Sequence, residues 1–130
     1  MKSRKSRSEQ EMVVFVTAAS EEEATRIGRA LVEAGLAACA NLIPRIRSIF
    51  SWEGKVAEEQ ECLIVLKSRS GLFDQLSAAV KRVHSYSVPE IIALPIIQGS
   101  AEYLAWIHDV TGGHSGKPSK TQKKGKAKKG

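Results

Sequence analysis

One stretch limits the fold more than any other. It runs from Ala38 to Ser68 and reads ACANLIPRIRSIFSWEGKVAEEQECLIVLKS. Two β-prone arms flank Glu53-Gly54. Glycine reaches positive φ without steric cost, so this pair makes the tight joint of an antiparallel hairpin. Each arm extends for a dozen residues or more, against about five or six in an ordinary strand. A hairpin of that length overshoots a small domain, and its far end needs a cover. In a chain of 130 residues the economical cover is another copy of the chain.

Along the first arm, Ala38, Ala40, Leu42, Ile46, Phe50 and Trp52 share one parity, which places them on one face. Pro44 falls on the same parity. It cannot donate to a ladder, so it marks an edge, a bend or a bulge. Arg45 and Arg47 on the other parity face water or a neighbour. The second arm starts polar, Glu58-Glu59-Gln60-Glu61, and turns apolar from Cys62 to Leu66. The end near the domain is therefore core, and the end near the turn is not.

The flanking sequence fits around this hairpin. Met12 to Ala19 (MVVFVTAA) is a short, β-branched apolar run suited to a central strand buried on both faces. Ser20 and Glu23 form a capping box, and Glu21 to Glu23 suit the positive end of a helix dipole. Ala24, Ile27, Leu31 and Ala34 then follow helical spacing until Gly35 stops the helix. Ser70 caps a second helix over about Gly71 to His84, with Leu72, Phe73, Leu76, Ala79, Val80 and Val83 as its buried stripe. Ile91 to Ile97 reads as a strand whose Pro95 argues for an edge or a bulge. Ser100 opens a last amphipathic helix that ends at Gly112-Gly113. The order β-α-β-β-α-β plus a C-terminal helix predicts an α+β, ferredoxin-like fold with helices on one face of an antiparallel sheet. Its strands are apolar at both parities, so the second face also needs a cover, and a homo-oligomer supplies it.

The formal net charge of +6 divides unevenly. Residues 1–11 carry four basic side chains against two acidic, and residues 113–130 carry seven lysines and no acid. Between them, residues 12–112 hold nine basic against twelve acidic, a net of −3. The domain is thus residues 12–112. The two basic ends have too little apolar surface to offset the entropy of ordering and read as disordered. The lysine tail suits nonspecific, salt-dependent polyanion binding rather than sequence reading. No apolar run approaches the ~20 residues of a membrane span, and none at the N-terminus resembles a secretory signal. The expected location is cytoplasmic.

Chemistry-bearing residues are sparse. Nucleophile-elbow, Walker, GxGxxG and HExxH motifs are absent, so no enzyme class is indicated. Cys39 and Cys62 lie roughly 20 Å apart along the hairpin, too far for a disulfide. They read either as small buried apolar residues or, for Cys39, as a metal or redox group. His84, at the end of the second helix, can ligate copper or zinc, or bond to frayed helix carbonyls. His108 on the exposed side of the last helix and His114 in the tail have no evident partner. Glu61, Lys67, Tyr86 and Glu90, with Trp52 and Trp106 nearby, could line a pocket for a small anion. An RNA-recognition module shares the element order, but Glu61 to Leu66 carries no aromatic signature for it.

Taken in order, AACANLIP, the WEGK turn and HSYSVPEIIALPI resemble the CutA family, named for divalent-cation tolerance. The resemblance covers about Val13 to Val110. It implies a ferredoxin-like subunit, a homotrimer whose hairpins reach across to neighbours, a link to copper or other divalent cations, and no catalytic reaction. Under it, Trp52 and Gly54 become assembly residues, and His84 and Cys39 the candidate metal contacts. Some bacterial members hold copper through a cysteine in the first strand and two adjacent histidines at the second helix end. Those positions here are Val16, Val83 and His84. A trimeric signalling scaffold of the PII type, with an anion at a subunit boundary near Lys67, Tyr86 and Glu90, is the alternative.

Overall fold

In the computed structural model, which describes residues 10–112, four strands form one antiparallel sheet. The strands are β1 (Glu11–Ala18), β2 (Cys39–Trp52), β3 (Lys55–Arg69) and β4 (Ile91–Pro95), in the order β2-β3-β1-β4. Three α-helices accompany them: α1 (Glu21–Glu33), α2 (Phe73–Val83) and α3 (Ala101–Thr111). This is the expected ferredoxin-like order with its C-terminal helix. The segments read as disordered lie outside the described residues, apart from Gln10 and Glu11. Glu11 already belongs to β1, and the Gln10 amide bonds the Glu11 and Ile96 carbonyls, each at 3.0 Å. Among the described residues no helix is long and apolar enough to cross a membrane.

The core lies between one sheet face and helices α1 and α2. Met12, Val14, Val16 and Ala18 of β1 meet Cys62, Ile64 and Leu66 of β3 beneath Ala24, Ile27, Leu31, Leu76 and Val80. These are alternate strand positions and helical i, i+3, i+4 positions, as the two periodicities require. Strand β1 is central, as expected, and within one chain its opposite parity is buried at Thr17 and half-buried at Glu11, Val13 and Phe15. Val13, Phe15, Leu63 and Val65 form that second face together with Ile92 and Leu94, which are half exposed. Helix α3 covers one end of it. There Arg69 reaches the Thr111 carbonyl at 2.7 Å, and the His108 ring meets the Glu11 carboxylate at 2.8 Å. His108 therefore has a partner that the sequence alone did not offer.

Helix ends follow their caps. Ser20 Oγ accepts from Glu23 N–H at 3.1 Å, and Ser100 Oγ from Tyr103 N–H at 3.3 Å. Gly35, at φ 74°, closes α1 as its own N–H reaches Val32 O and Leu36 N–H reaches Leu31 O. Those two bonds are the Schellman pattern. Ser70 does not cap α2 directly. One turn of 3₁₀ helix, Ser70–Leu72, intervenes, and Leu72 occupies the N-cap position.

The hairpin turns at Glu53-Gly54, with φ 47° and 79°, and pairs Trp52 with Lys55 as expected. Pro44 and Arg45 then sit between the pairs Ile43–Leu63 and Ile46–Glu61, so two residues oppose Cys62 alone. This is a β-bulge, and Arg45 takes φ 53° within it. One extra residue exchanges the two faces of a strand. Ala40 and Leu42 therefore face the helices opposite Leu66 and Ile64, whereas Ile46, Phe50 and Trp52 lie on the other face. The expectation of a single apolar face along the first arm is corrected accordingly. Pro44 and Pro95 both lie on edge strands, where a missing N–H costs no ladder bond.

Leu76 is fully buried beneath the sheet. Leu76→Ala should cost about 2–5 kcal/mol. A urea titration should show a lower midpoint with an unchanged slope. A change in slope instead would mean that the cavity alters the compactness of the native or denatured state.

Candidate functional site

Two polar clusters lie along β3, one at Glu61 near its middle and one at Lys67 near its end. The first is built on Glu23, one turn into α1. Its position in the capping box turns the carboxylate back toward the strand that precedes the helix. There it accepts Ala19 N–H at 3.2 Å, Ser85 N–H at 2.7 Å and the Ser85 hydroxyl at 3.0 Å. Glu23 is only 5% exposed, whereas Glu21 and Glu22 beside it are exposed. Burial raises its carboxyl pKa. The bonds from Ser85 and Ala19, together with the neighbouring His84 ring, outweigh that and hold it below 4.5. Sequence reasoning took Glu23 as a capping residue and missed its reach to Ser85. The available signal was its place four residues before Ile27, on the buried stripe.

His84 follows α2, and its side chain is fully buried. Its Nε2 lies 2.7 Å from the Thr17 carbonyl, which can only accept, so Nε2 carries the hydrogen. Nδ1 accepts Tyr86 N–H at 3.0 Å. Both ring nitrogens are thus used inside the chain, and neither presents a lone pair to an incoming ion. The Glu23 carboxylate stands 3.7 Å from Nδ1. The bond to Thr17 joins β1 to the loop after α2, where sequence reasoning had considered the carbonyls of His84's own helix. Tyr86 then donates its hydroxyl to Glu61 at 2.5 Å, and its ring centroid lies 4.7 Å from that of His84. Burial, the bond to Glu61 and the nearby carboxylates push the phenol pKa well up.

The second cluster centres on Cys39, at the start of β2. The bulge places Cys39 directly across from Lys67. Lys67 Nζ donates to Asn41 Oδ1 at 2.6 Å and lies 3.8 Å from the Cys39 sulfur. The Tyr103 hydroxyl, from α3, is 3.6 Å from the same sulfur. Its pKa is pushed well up by burial and by Cys39. Tyr103 also packs on Trp106, with ring centroids 5.3 Å apart. Cys39 is half-buried and free. Cys62 is free and fully buried, and burial followed by the Glu21 charge raises its thiol pKa.

The residues proposed as one pocket therefore fall apart within a chain. Glu61 and Tyr86 touch, while Lys67 sits six residues further along β3, roughly 20 Å away at ~3.3 Å per residue. Glu90 is exposed before β4, and Trp52 and Gly54 are exposed at the hairpin tip. Cys39 and His84, the two candidate metal contacts, lie in different clusters. Among the described residues no three His, Cys, Asp or Glu side chains converge to hold a metal ion. The copper set of the resembling bacterial proteins does not fit this chain. Two of its three positions are Val16 and Val83, and the third is the sealed His84.

Glu23→Ala leaves three donors without their acceptor, and it should cost about 1–3 kcal/mol at neutral pH. Because the folded pKa is lowered, the Glu23 contribution is present above 4.5 and lost as pH falls through the lower folded value. Urea midpoints of wild type and variant should therefore converge on acidification. A gap that stayed constant to low pH would contradict the assignment.

The family model described as CutA1 divalent ion tolerance protein matches residues 12–110. A Thermus thermophilus protein named divalent-cation tolerance protein CutA is 49% identical over 102 residues, covering 78% of this chain and 99% of its own length. The human protein CutA is 50% identical over 97 residues, and the chain spans 54% of its length. Among solved structures, CutA1 from Oryza sativa superposes with a TM-score of 0.78 at 40% identity, covering 82% of this chain and 98% of that one. The Thermus thermophilus structure gives 0.74 at 49% identity, covering 75% and 94%. Another plant relative is named chloroplastic, and an Archaeoglobus fulgidus structure is titled periplasmic. With the element order, the hairpin and the matched span in agreement, this chain belongs to the CutA1 divalent ion tolerance family.

Proposed function

We propose that this protein works in the cytoplasm as a non-catalytic homotrimer in the response to divalent metal ions. The observation that carries the metal reading is the match over residues 12–110, with a relative 49% identical that is named for divalent-cation tolerance. Two free thiols suit a reducing compartment. The uncovered apolar surface supports assembly. Val56 is 80% exposed and Trp52 59%, at the turn end of the hairpin among the described residues. Exposed apolar surface of this extent is removed from water by association.

Any copper contact in this reading is weak and runs through Cys39. Its thiol is half-buried, with Asn41 Oδ1 at 3.9 Å and the Tyr103 hydroxyl at 3.6 Å. Thiolate is the ligand type that suits Cu(I). The Lys67 ammonium 3.8 Å away opposes a cation and limits affinity. His84 contributes to stability instead, since opening its ring to a metal breaks the bond to Thr17 or to Tyr86. The scaffold alternative is not favoured, because Lys67 lies six residues along β3 from the Glu61–Tyr86 pair, roughly 20 Å away.

Titration of the chain with Cu(I) against a chromogenic chelator tests the contact. Cys39→Ser should lose the weak binding, and His84→Ala should keep it while melting lower. Loss of binding in His84→Ala alone would reverse the two roles. Gly54→Val, strained at φ 79°, should cost about 1–3 kcal/mol at the turn and lower the solution mass on dilution. A wild-type mass corresponding to a monomer would remove the assembly reading.

A further inference from the structure

We propose that Cys39 and Lys67 form a peroxide-sensitive covalent bridge, a sulfenamide that ties β2 to β3. Four observations lead to it. The two residues are direct cross-strand partners, so their side chains leave the same face. The amine nitrogen stands 3.8 Å from the sulfur and is held by Asn41 Oδ1 at 2.6 Å. The thiol is free and half-buried, while the other cysteine, Cys62, is fully buried. The Tyr103 hydroxyl lies 3.6 Å from the sulfur.

The chemistry takes two balanced steps. Cys39 sulfur attacks hydrogen peroxide. An S–O bond forms, the O–O bond breaks, the sulfur loses two electrons, and the peroxide is reduced to water. The product is a sulfenic acid. Lys67 passes an ammonium proton to water, and the freed amine nitrogen attacks that sulfur. An S–N bond forms and the S–OH bond breaks; Tyr103 protonates the departing oxygen to water, and its phenolate takes up the proton that the amine loses on forming the S–N bond. No further oxidant is needed for this step. A dithiol reductant reverses the bridge by attacking sulfur, which releases the amine and, in a second exchange, the thiol. Holding the amine against the sulfur favours this capture over attack by a second peroxide.

The bridge removes the Lys67 charge and fixes the hairpin where it leaves the domain. It requires no bound metal, so it stands apart from the copper contact. The test uses the full chain, treated with chelator and then with a small excess of hydrogen peroxide, and read by intact mass and peptide mapping. The expected product is two hydrogens lighter than the thiol form. It should give a linked peptide joining Cys39 to Lys67 and return to the starting mass with dithiothreitol. Cys39→Ser should give no such species. Lys67→Arg keeps the charge but lacks the primary amine, and should accumulate oxygen additions at Cys39. Wild type that gains only oxygen at Cys39, at the rate of Lys67→Arg, would overturn the proposal. So would a Cys39 that peroxide leaves unmodified. The peptide map of the wild type decides the question even where a variant fails to fold.

Discussion

The pairing of β2 with β3 is the constraint on which the rest of this structure depends. It is the longest ladder in the sheet, and it contains one irregularity, the bulge at Pro44-Arg45. A residue added to one strand reverses which side chains face which way. On the domain side of the bulge, Ala40 and Leu42 meet the helices. On the turn side, Ile46, Phe50 and Trp52 point to the other face. The arm therefore completes one chain's core with its first part and offers apolar surface elsewhere with its second. The same reversal sets Cys39 opposite Lys67 and away from the core, where an unbroken register would have paired it with Ser68.

The two faces of the sheet have different energetics. The helix-covered face is closed, and Val14, Val16, Ile64 and Leu66 are fully buried there. At about 25 cal/mol per Å² of apolar area, that burial is the main favourable contribution to folding. The second face carries side chains of the same kind and, among the described residues, is closed at one end by α3. The Glu11–His108 and Arg69–Thr111 contacts hold that helix on the sheet. The remaining apolar area gains the same stabilisation only from another chain, which is why folding and the proposed assembly draw on a single sheet.

Much of this was legible in the sequence where one residue type had a single structural use. Gly54 and Gly35 both reach positive φ, Ser20 and Ser100 both cap, and Pro44 marked the bulge before its effect on register could be known. The illegible parts were long-range. Glu23 meets Ser85 across 62 positions, and Glu11 meets His108 across 97. Three glutamates in a row look alike until the fold buries one of them. The pocket drawn from Glu61, Lys67, Tyr86 and Glu90 failed for a related reason. Residue types suited to an anion were gathered without a register to bring them together. Ser70 had the right composition for a cap but stands one 3₁₀ turn too early.

His84 and Cys39 show how hydrogen-bond satisfaction separates a structural group from a chemically available one. Imidazole is the better general metal ligand, and position alone made His84 the stronger candidate. Inside the fold, however, one nitrogen donates to Thr17 and the other accepts from Tyr86, so metal binding must first break a buried bond. Such a bond is costly to lose because its partner is left buried and unpaired. The Cys39 thiol has only long contacts, at 3.6 to 3.9 Å, and remains partly open. Its bonding potential is the least satisfied of the two. The proposed reactivity therefore follows the group that the fold leaves least occupied, whichever residue is the better ligand in isolation.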